Sequence, residues 1–306
     1  MRILFVFLDG IGLGVDNPAT NPFARARLPT IERLLGGRKL LASSAPTVGN
    51  RATLLALDAT LGVQGLPQSA TGQAVLLTGI NIPAQIGEHY GPKPNQAVTD
   101  FLLNGNLFSD LKKAGRSVAL LNAYPPRYFR AVSSGHRLYS SIPLAVTSAG
   151  VPLFDEVDYI AGRAASADFT GRAWVDMLGY PDAPIRTPYA AGRLLAQLAG
   201  EYDFSLFEYW STDYAGHKQD MPWAIEQLET FDGVLAGLLS ASDDEQLILI
   251  TSDHGNMEDL STRRHTDADV PALIIGPASA RAAFSSGLTE LTGIAPAIRR
   301  SLVSAQ

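Results

Sequence analysis

The sequence predicts an α/β fold: a three-layer α/β/α sandwich around a mostly parallel sheet, with a small inserted cap. Three observations lead there. Short unbroken apolar runs, such as ILFVFL (Ile3–Leu8) and QLILITS (Gln246–Ser252), read as strands buried on both faces. These runs alternate with amphipathic helical stretches, the pattern of strands joined by crossover helices. Between Tyr124 and Arg186 the regularity lapses, and scattered prolines, glycines and aromatics replace the periodic runs.

Taken in order, Ile3–Leu8 is a strand ended by Asp9 and Gly10. LPTIERLLGG (Leu28–Gly37) is a helix stopped by glycine, and SATGQAVLLTG (Ser69–Gly79) is a turn entering a helix. Leu107–Gly115 is a helix with a glycine stop, followed by the buried strand Arg116–Ala123. After the irregular stretch, Thr187–Gly200 is helical, Asp203–Trp210 a strand and Pro222–Ser240 a long helix. Gln246–Ser252 and Pro271–Gly276 are strands again. Residues 1–123 and 186–306 are therefore expected to form one discontinuous core, and 124–185 a small substrate-facing cap.

Composition narrows the function. A chain of 306 residues suggests one or two domains, and a net charge of −6 argues against a nucleic-acid partner. It does not exclude a small anionic substrate, because a bound metal supplies positive charge locally. The absence of cysteine excludes disulfides, thiolate metal sites and cysteine nucleophiles. No run approaches the roughly 20 apolar residues of a membrane span, and Ile3–Leu8 is too short for a signal-peptide core. The expectation is a cytoplasmic protein without a membrane partner.

Acids and histidines collect at the ends of the apolar runs. Asp9 follows the first strand, and Asp213 and His217 (STDYAGH) follow Asp203–Trp210. Asp253 and His254 follow Gln246–Ser252, and His265 precedes Pro271–Gly276. Three of the five histidines lie in these segments. Open parallel sheets bind ligands beyond the carboxyl ends of their strands, so these side chains are expected to share one edge. Oxygen and imidazole donors without thiolate suit Zn²⁺ or Mn²⁺ better than Mg²⁺. They are too many for one tetrahedral ion, which suggests two divalent ions, with Gly216 letting the backbone turn between Asp213 and His217. Taken singly, each acid is better explained as a turn former or helix cap; taken together on one edge, they are not. Ser69 stands at a helix start, where amides and dipole favour a phosphate, yet taken alone it is better explained as a plain N-cap.

The motifs DGIG, SATGQ, DYAGH, SDHGN and RHT…VP, in this order, resemble the alkaline phosphatase superfamily, nearest to cofactor-independent phosphoglycerate mutase and phosphopentomutase. LDGIGLG…NPFARARLPTIERLL and GLPQSATGQ are similar to the mutase opening, and TSDHGNMED to its late metal motif. The resemblance covers roughly Met1–Gly79 and Tyr202–Gly276. It implies that Asp9, Ser69, Asp253 and His254 surround one metal, with Ser69 the nucleophile, and that Asp213, His217 and His265 hold the second. It also implies in-line attack on a small phosphorylated substrate. Two departures bear on the reaction. The mutases carry histidine where this chain has Gln73, and they close a large inserted domain over the substrate where this chain has only about 60 irregular residues. A small cap excludes water poorly, so a phosphatase or phosphodiesterase is expected, with a phosphomutase or phosphotransferase, or a metal-binding scaffold without catalysis, as the alternatives. A sulfatase is disfavoured, since SATGQ lacks that branch's proline and arginine.

Substrate contacts are expected from His89 and Lys93 (GEHYGPKP) and from Asn122 and Arg127 (NAYPPRY), although solvated, proline-held loops explain these equally. Arg163 and Arg172 are lesser candidates. Asn17 and Asn21 order the first metal loop or simply make turns. Glu258 and Asp259 read as solvated loop.

Overall fold

A computed structural model describes residues 1–303. In chain order the elements are β1 (Arg2–Leu8), α1 (Pro29–Leu34), β2 (Thr47–Val48), β3 (Ala52–Leu57), α2 (Ser69–Thr78), α3 (Ile82–Ile86), α4 (Gln96–Asn104) and α5 (Leu107–Lys113). Then come β4 (Val118–Leu120), α6 (Pro126–Ser133), α7 (Ser141–Ser148), α8 (Glu156–Ile160), α9 (Arg172–Asp176) and α10 (Pro188–Ala199). The chain continues through β5 (Phe204–Tyr209), α11 (Ser211–Lys218), α12 (Met221–Ala241), β6 (Gln246–Thr251), β7 (Val270–Ile275), α13 (Ala278–Ser285) and α14 (Ile294–Val303).

The strands form one mixed sheet in the order β2-β3-β7-β6-β1-β5-β4. β4, β5, β1 and β6 run parallel, whereas β7 is antiparallel to both β6 and β3, and β2 is antiparallel to β3. The expected strand Arg116–Ala123 contracts to three paired residues, with single bridges from Asn122 to Ala165 and from Ala123 to Phe154 beyond it. β2 and β3 were not expected.

β1 lies between β6 and β5, with Phe5 opposite both Leu206 and Leu249. Its pleat splits its side chains between the two faces, because successive residues of a strand point opposite ways. Leu4, Val6 and Leu8 join the core beneath α1, α10 and α12, while Ile3, Phe5 and Phe7 join the core beneath α2, α4, α5, α7 and α14. Burying one such side chain contributes about 1.5–3 kcal/mol, so a strand buried on both faces is a firm support for whatever follows it.

The stretch expected to be a cap divides. Ile142, Ala145 and Val146 of α7 belong to the core under α2, and the Phe169 ring stacks on Phe207 at 4.8 Å. Only Ala123, Tyr159, Ala164, Trp174 and Ala183 make a cluster of their own, around a Tyr159–Trp174 stack at 4.8 Å. The helices here are too short to show a periodic run, which is why the segment reads as irregular.

Two contacts set the helix layers. α10 and α12 touch through glycines: a Cβ on Gly192 would lie 1.9 Å from Val234 O, and one on Gly237 the same distance from Tyr189 O. At the far end of α2, Arg299 of α14 donates from Nη1 and Nη2 to Thr78 O, each at 3.1 Å, satisfying a terminal carbonyl.

Gly237→Val is therefore expected to force α10 and α12 apart and to cost at least about 3 kcal/mol. Urea unfolding should show a lower midpoint at unchanged slope; an unchanged midpoint would refute the close packing.

Candidate metal centre

Four neighbouring strands deliver the acids and imidazoles to one edge. Asp9 leaves β1 with its amide donating to Tyr209 O at 2.9 Å, and Asp253 and His254 leave β6. His265 precedes β7, and because β7 is antiparallel its beginning lies at the same edge as the ends of β1, β5 and β6. Asp213 and His217 lie on α11, one helical turn apart and so on one face. That corrects the expected role of Gly216. It makes no turn; it lets α11 approach the neighbouring loop, since a Cβ there would lie 2.6 Å from Asn256 Cγ.

The donor atoms form two overlapping groups. Ser69 Oγ is 3.0 Å from His254 Nε2, which is 3.4 Å from Asp9 Oδ1 and 3.7 Å from Asp253 Oδ2. His217 Nε2 lies 3.2 Å from Asp213 Oδ2, and His265 Nε2 lies 3.6 Å from Asp213 Oδ1 and 3.3 Å from His217 Nε2. Donors of Asp9, Asp213 and His254 all fall within 4.8 Å of one another, as do those of Asp213, His217 and His265. The His254 and His265 rings stack at 3.7 Å. All seven residues expected from the sequence are thus in one place.

Each imidazole is pinned through Nδ1 to a carbonyl: His265 to Pro67 O at 2.8 Å, His217 to Arg263 O at 2.7 Å, His254 to Gly255 O at 3.3 Å. A carbonyl only accepts, so each Nδ1 carries a proton and each Nε2 faces the cluster; Nε2 of His254 and His265 present lone pairs, while the Asp213 carboxylate raises His217, whose Nε2 donates to it. Burial, then the Asp213 charge, lifts Asp253 to about 8. Burial and the Asp253 charge likewise raise Asp9 well above the carboxylate range, and burial with the neighbouring His265 drops His254 to about 3. Burial also acts on Asp213, but hydrogen bonds from His217 and Asn256 outweigh it and hold that carboxyl at about 2. Asp9 Oδ1 is buried without a hydrogen-bond partner. Inward lone pairs, crowded buried carboxylates and an orphaned oxygen are the chemistry of a divalent-cation site, and the residues fit such ions.

Ser69 is not a cap. Gln68 occupies the N-cap position of α2, and Ser69 is the first helical residue, its hydroxyl directed to His254. The amides of Thr71 and Gly72 are spent on Tyr90 O and Gln68 O, whereas those of Ser69 and Ala70 have no acceptor among the described residues. α2 reaches the site closely because residue 72 is glycine; a Cβ there would lie 2.8 Å from Asp253 Cβ. Gln73, where the mutases have histidine, donates to Asp253 Oδ2 at 3.3 Å.

Glu258 corrects the sequence reading. It is buried, at 3% exposure, and its Oε2 accepts from Gly12 N at 2.9 Å and Asn256 N at 2.8 Å, with Thr266 Oγ1 donating to Oε1. It ties the loops after β1 and β6 to the approach of His265. Asp259 is partly exposed and accepts from Ser261 N in a local turn. Ser252 and Asn256 were also missed as supports: Ser252 Oγ accepts from Ile11 N at 2.9 Å, and Asn256 Nδ2 donates to Asp213 Oδ1 at 2.6 Å. Their only sequence signal is their place beside Asp253.

The expected substrate contacts separate. Asn122 is fully engaged with the backbone, donating to Glu208 O and accepting from Glu208 N, both at 2.8 Å, and it braces β4 against β5 rather than facing a ligand. His89 binds Thr60 O at 3.1 Å and lines a hollow of ≈ 380 Å³ with Gln68 and Tyr90, beside the start of α2. Lys93 is half-buried, and Arg127 is exposed on α6. Asn17 and Asn21 make turns, accepting from Ala19 N and Phe23 N. Arg163 pairs with Asp158 within its own segment, and Arg172 is exposed at the first residue of α9. No helix among the described residues is long and apolar enough to cross a membrane.

Comparison with known proteins finds relatives for parts of the chain and a fold likeness for nearly all of it. Residues 189–304 match the Metalloenzyme superfamily. The 2,3-bisphosphoglycerate-independent phosphoglycerate mutase of Halobacterium salinarum is 32% identical over 151 residues, 45% of this chain and 29% of that enzyme. The phosphopentomutase of Methylobacterium radiotolerans is 39% identical over 62 residues, 20% of this chain and 15% of that enzyme. The matched part thus spans less than a third of either relative. The solved alkaline phosphatase from the Antarctic bacterium TAB5 superposes with a TM-score of 0.53 at 13% identity, covering 98% of this chain and 97% of that one. A Pyrococcus horikoshii protein gives 0.57 at 15% identity, covering 100% and 97%. The fold is that of alkaline phosphatase.

Glu258→Ala leaves two buried amides and a hydroxyl without their acceptor, so a loss of about 2–4 kcal/mol is expected in urea unfolding. Zn²⁺ or Mn²⁺ affinity should fall about 10–100-fold in a metal titration; unchanged stability and affinity would show that the tie is idle.

Proposed function

We propose that this chain, which carries a Metalloenzyme superfamily domain on an alkaline phosphatase-like fold, is a metal-dependent phosphohydrolase acting through phosphorylated Ser69. The observation that carries this reading is the placement of Ser69 Oγ, at the start of α2, 3.0 Å from His254 of the Asp9–Asp213–His254 donor group. Asp9, Ser69, Asp253 and His254 would hold one divalent ion and Asp213, His217 and His265 another, Zn²⁺ or Mn²⁺. When bound, these ions supply the positive charge that acidifies the serine hydroxyl and neutralises the phosphoryl oxygens.

The chain's own residues do the rest. Ser69 Oγ attacks phosphorus in line; the Ser–O–P bond forms as the bond to the substrate's alkoxide breaks, and the serine proton leaves with the alcohol. Water then attacks the phosphoserine from the opposite side, regenerating Ser69 and releasing phosphate. The unspent amides of Ser69 and Ala70 and the helix dipole favour the anionic group throughout. Hydrolysis is favoured over transfer because the His217 side chain is 40% exposed, so water reaches the second donor group. The names of the curated relatives support a second reading, a phosphomutase in which another hydroxyl takes the place of water.

The test is a panel of phosphate monoesters and diesters with Zn²⁺ and with Mn²⁺. Free phosphate should appear only with metal, elemental analysis should find about two ions per chain, and Ser69→Ala should lower the rate by about 10⁴-fold. Isomerised product with little free phosphate would favour the mutase. Inactivity across the panel, with no phosphate on Ser69 by mass spectrometry, would refute both.

A further inference from the structure

We propose that Lys93 and Arg137, set around the rings of Tyr124 and Tyr128 and the carboxylate of Glu208, form an anion-receiving subsite beside Ser69 that selects phosphate monoesters over diesters. This rests on the hydrolase reading and names its substrate class.

Sheet geometry places the subsite. Glu208 of β5 is paired with Phe7 of β1, and Phe204, Leu206 and Phe7 all face the α2 layer. By the same two-residue period Glu208 points to that face, and Asp9, two residues beyond Phe7 at the end of the adjacent strand, continues it. Both cation-bearing loops are fastened to the first turn of α2. Tyr90 O accepts from Thr71 N, and a Cβ on Gly91 would lie 3.3 Å from Ser69 N, two residues before Lys93. Ser141 Oγ donates to Ala70 O at 2.8 Å, four residues after Arg137.

The charges are left unspent. Glu208, at 9% exposure, accepts from the Tyr124 hydroxyl at 2.5 Å and feels the Lys93 and Arg137 charges without an ion pair to either. The Arg137 guanidinium lies 4.8 Å above the Tyr128 ring, whose centroid is 4.5 Å from that of Tyr124. The Tyr128 hydroxyl is buried without a hydrogen-bond partner. Among the described residues neither Lys93 nor Arg137 has a carboxylate within ion-pair distance. Burial, and then the nearby Arg137 charge, depress the Lys93 ammonium, so the two cations feel one another. Two cations and a free phenol beside one acid leave an excess of positive charge and unused donors. A monoester phosphoryl group carries up to two negative charges and three free oxygens to meet them, and a diester carries one charge and two.

The experiment compares kcat/KM for an aryl phosphate and the matching aryl diester in wild type, Lys93→Ala and Arg137→Ala, alongside calorimetric binding of inorganic phosphate to the metal-loaded protein. Each variant should lose about 10–100-fold on the monoester and much less on the diester, with phosphate bound about tenfold more weakly. Arg137 is exposed, so its truncation leaves the core intact, and melting curves check both variants. An unchanged monoester-to-diester ratio with unchanged phosphate binding overturns the subsite. If the wild type cleaves neither ester while both variants lose phosphate binding, the hydrolase reading fails and the subsite stands.

Discussion

Asp9 and Asp253 impose the constraint around which the sheet edge is built. Two carboxylates buried at the ends of adjacent strands cannot both stay ionised without compensating charge, and the interior supplies little. Gln73 reaches Asp253 only at 3.3 Å, and the amide of Gly10 only at 3.5 Å. Left to themselves the two acids keep their protons well above the ordinary carboxylate range, and a divalent cation among the inward-facing donors would relieve the same crowding. Holding the groups in so unfavourable an arrangement requires the surroundings to be stiff. Glu258, Ser252 and Asn256, which bind backbone and side chains across the loops, supply that stiffness.

Stiffness also depends on how closely the elements approach. Within each of the two donor groups the atoms fall within 4.8 Å of one another, and the elements that carry them come this close because glycine stands where Gly10 meets Asp213, Gly72 meets Asp253 and Gly216 meets Asn256. A methyl group at any of these would push its carrier outward and open the cluster. The glycines and the acids are therefore one design: the acids supply the chemistry, and the glycines bring the helices and turns near enough for it.

Much of this was legible because parallel strands buried on both faces leave unbroken apolar runs, so that Asp9, Asp213 and Asp253 stood out at their ends. His265 was placed at the right edge although the sheet was read as mostly parallel; the reversal of β7 is what puts it there. β2 and β3 were missed because an antiparallel edge has no crossover helix to announce it. Glu258 misled because its partners lie in other loops, Gly12 being 246 positions away, and nothing local distinguishes a buried acid from its solvated neighbour Asp259. Asn122 was noticed for its place after a strand, but its amide is used by that sheet. Arg137 gave no signal at all, since its meaning comes from the Tyr128 ring beneath it.

The grip of Arg299 on the end of α2 has a bearing on how the protein comes into being. The helix that begins with Ser69 is secured at its other end by a segment made more than two hundred residues later, and the acid at residue 9 waits for its partners at 253 and 254. Emerging from the ribosome, the chain passes most of its synthesis with a serine and an aspartate that have no site to belong to. The cluster therefore cannot assemble before residues 253–265 have been made, and α14, made later still, secures the far end of the helix that carries Ser69.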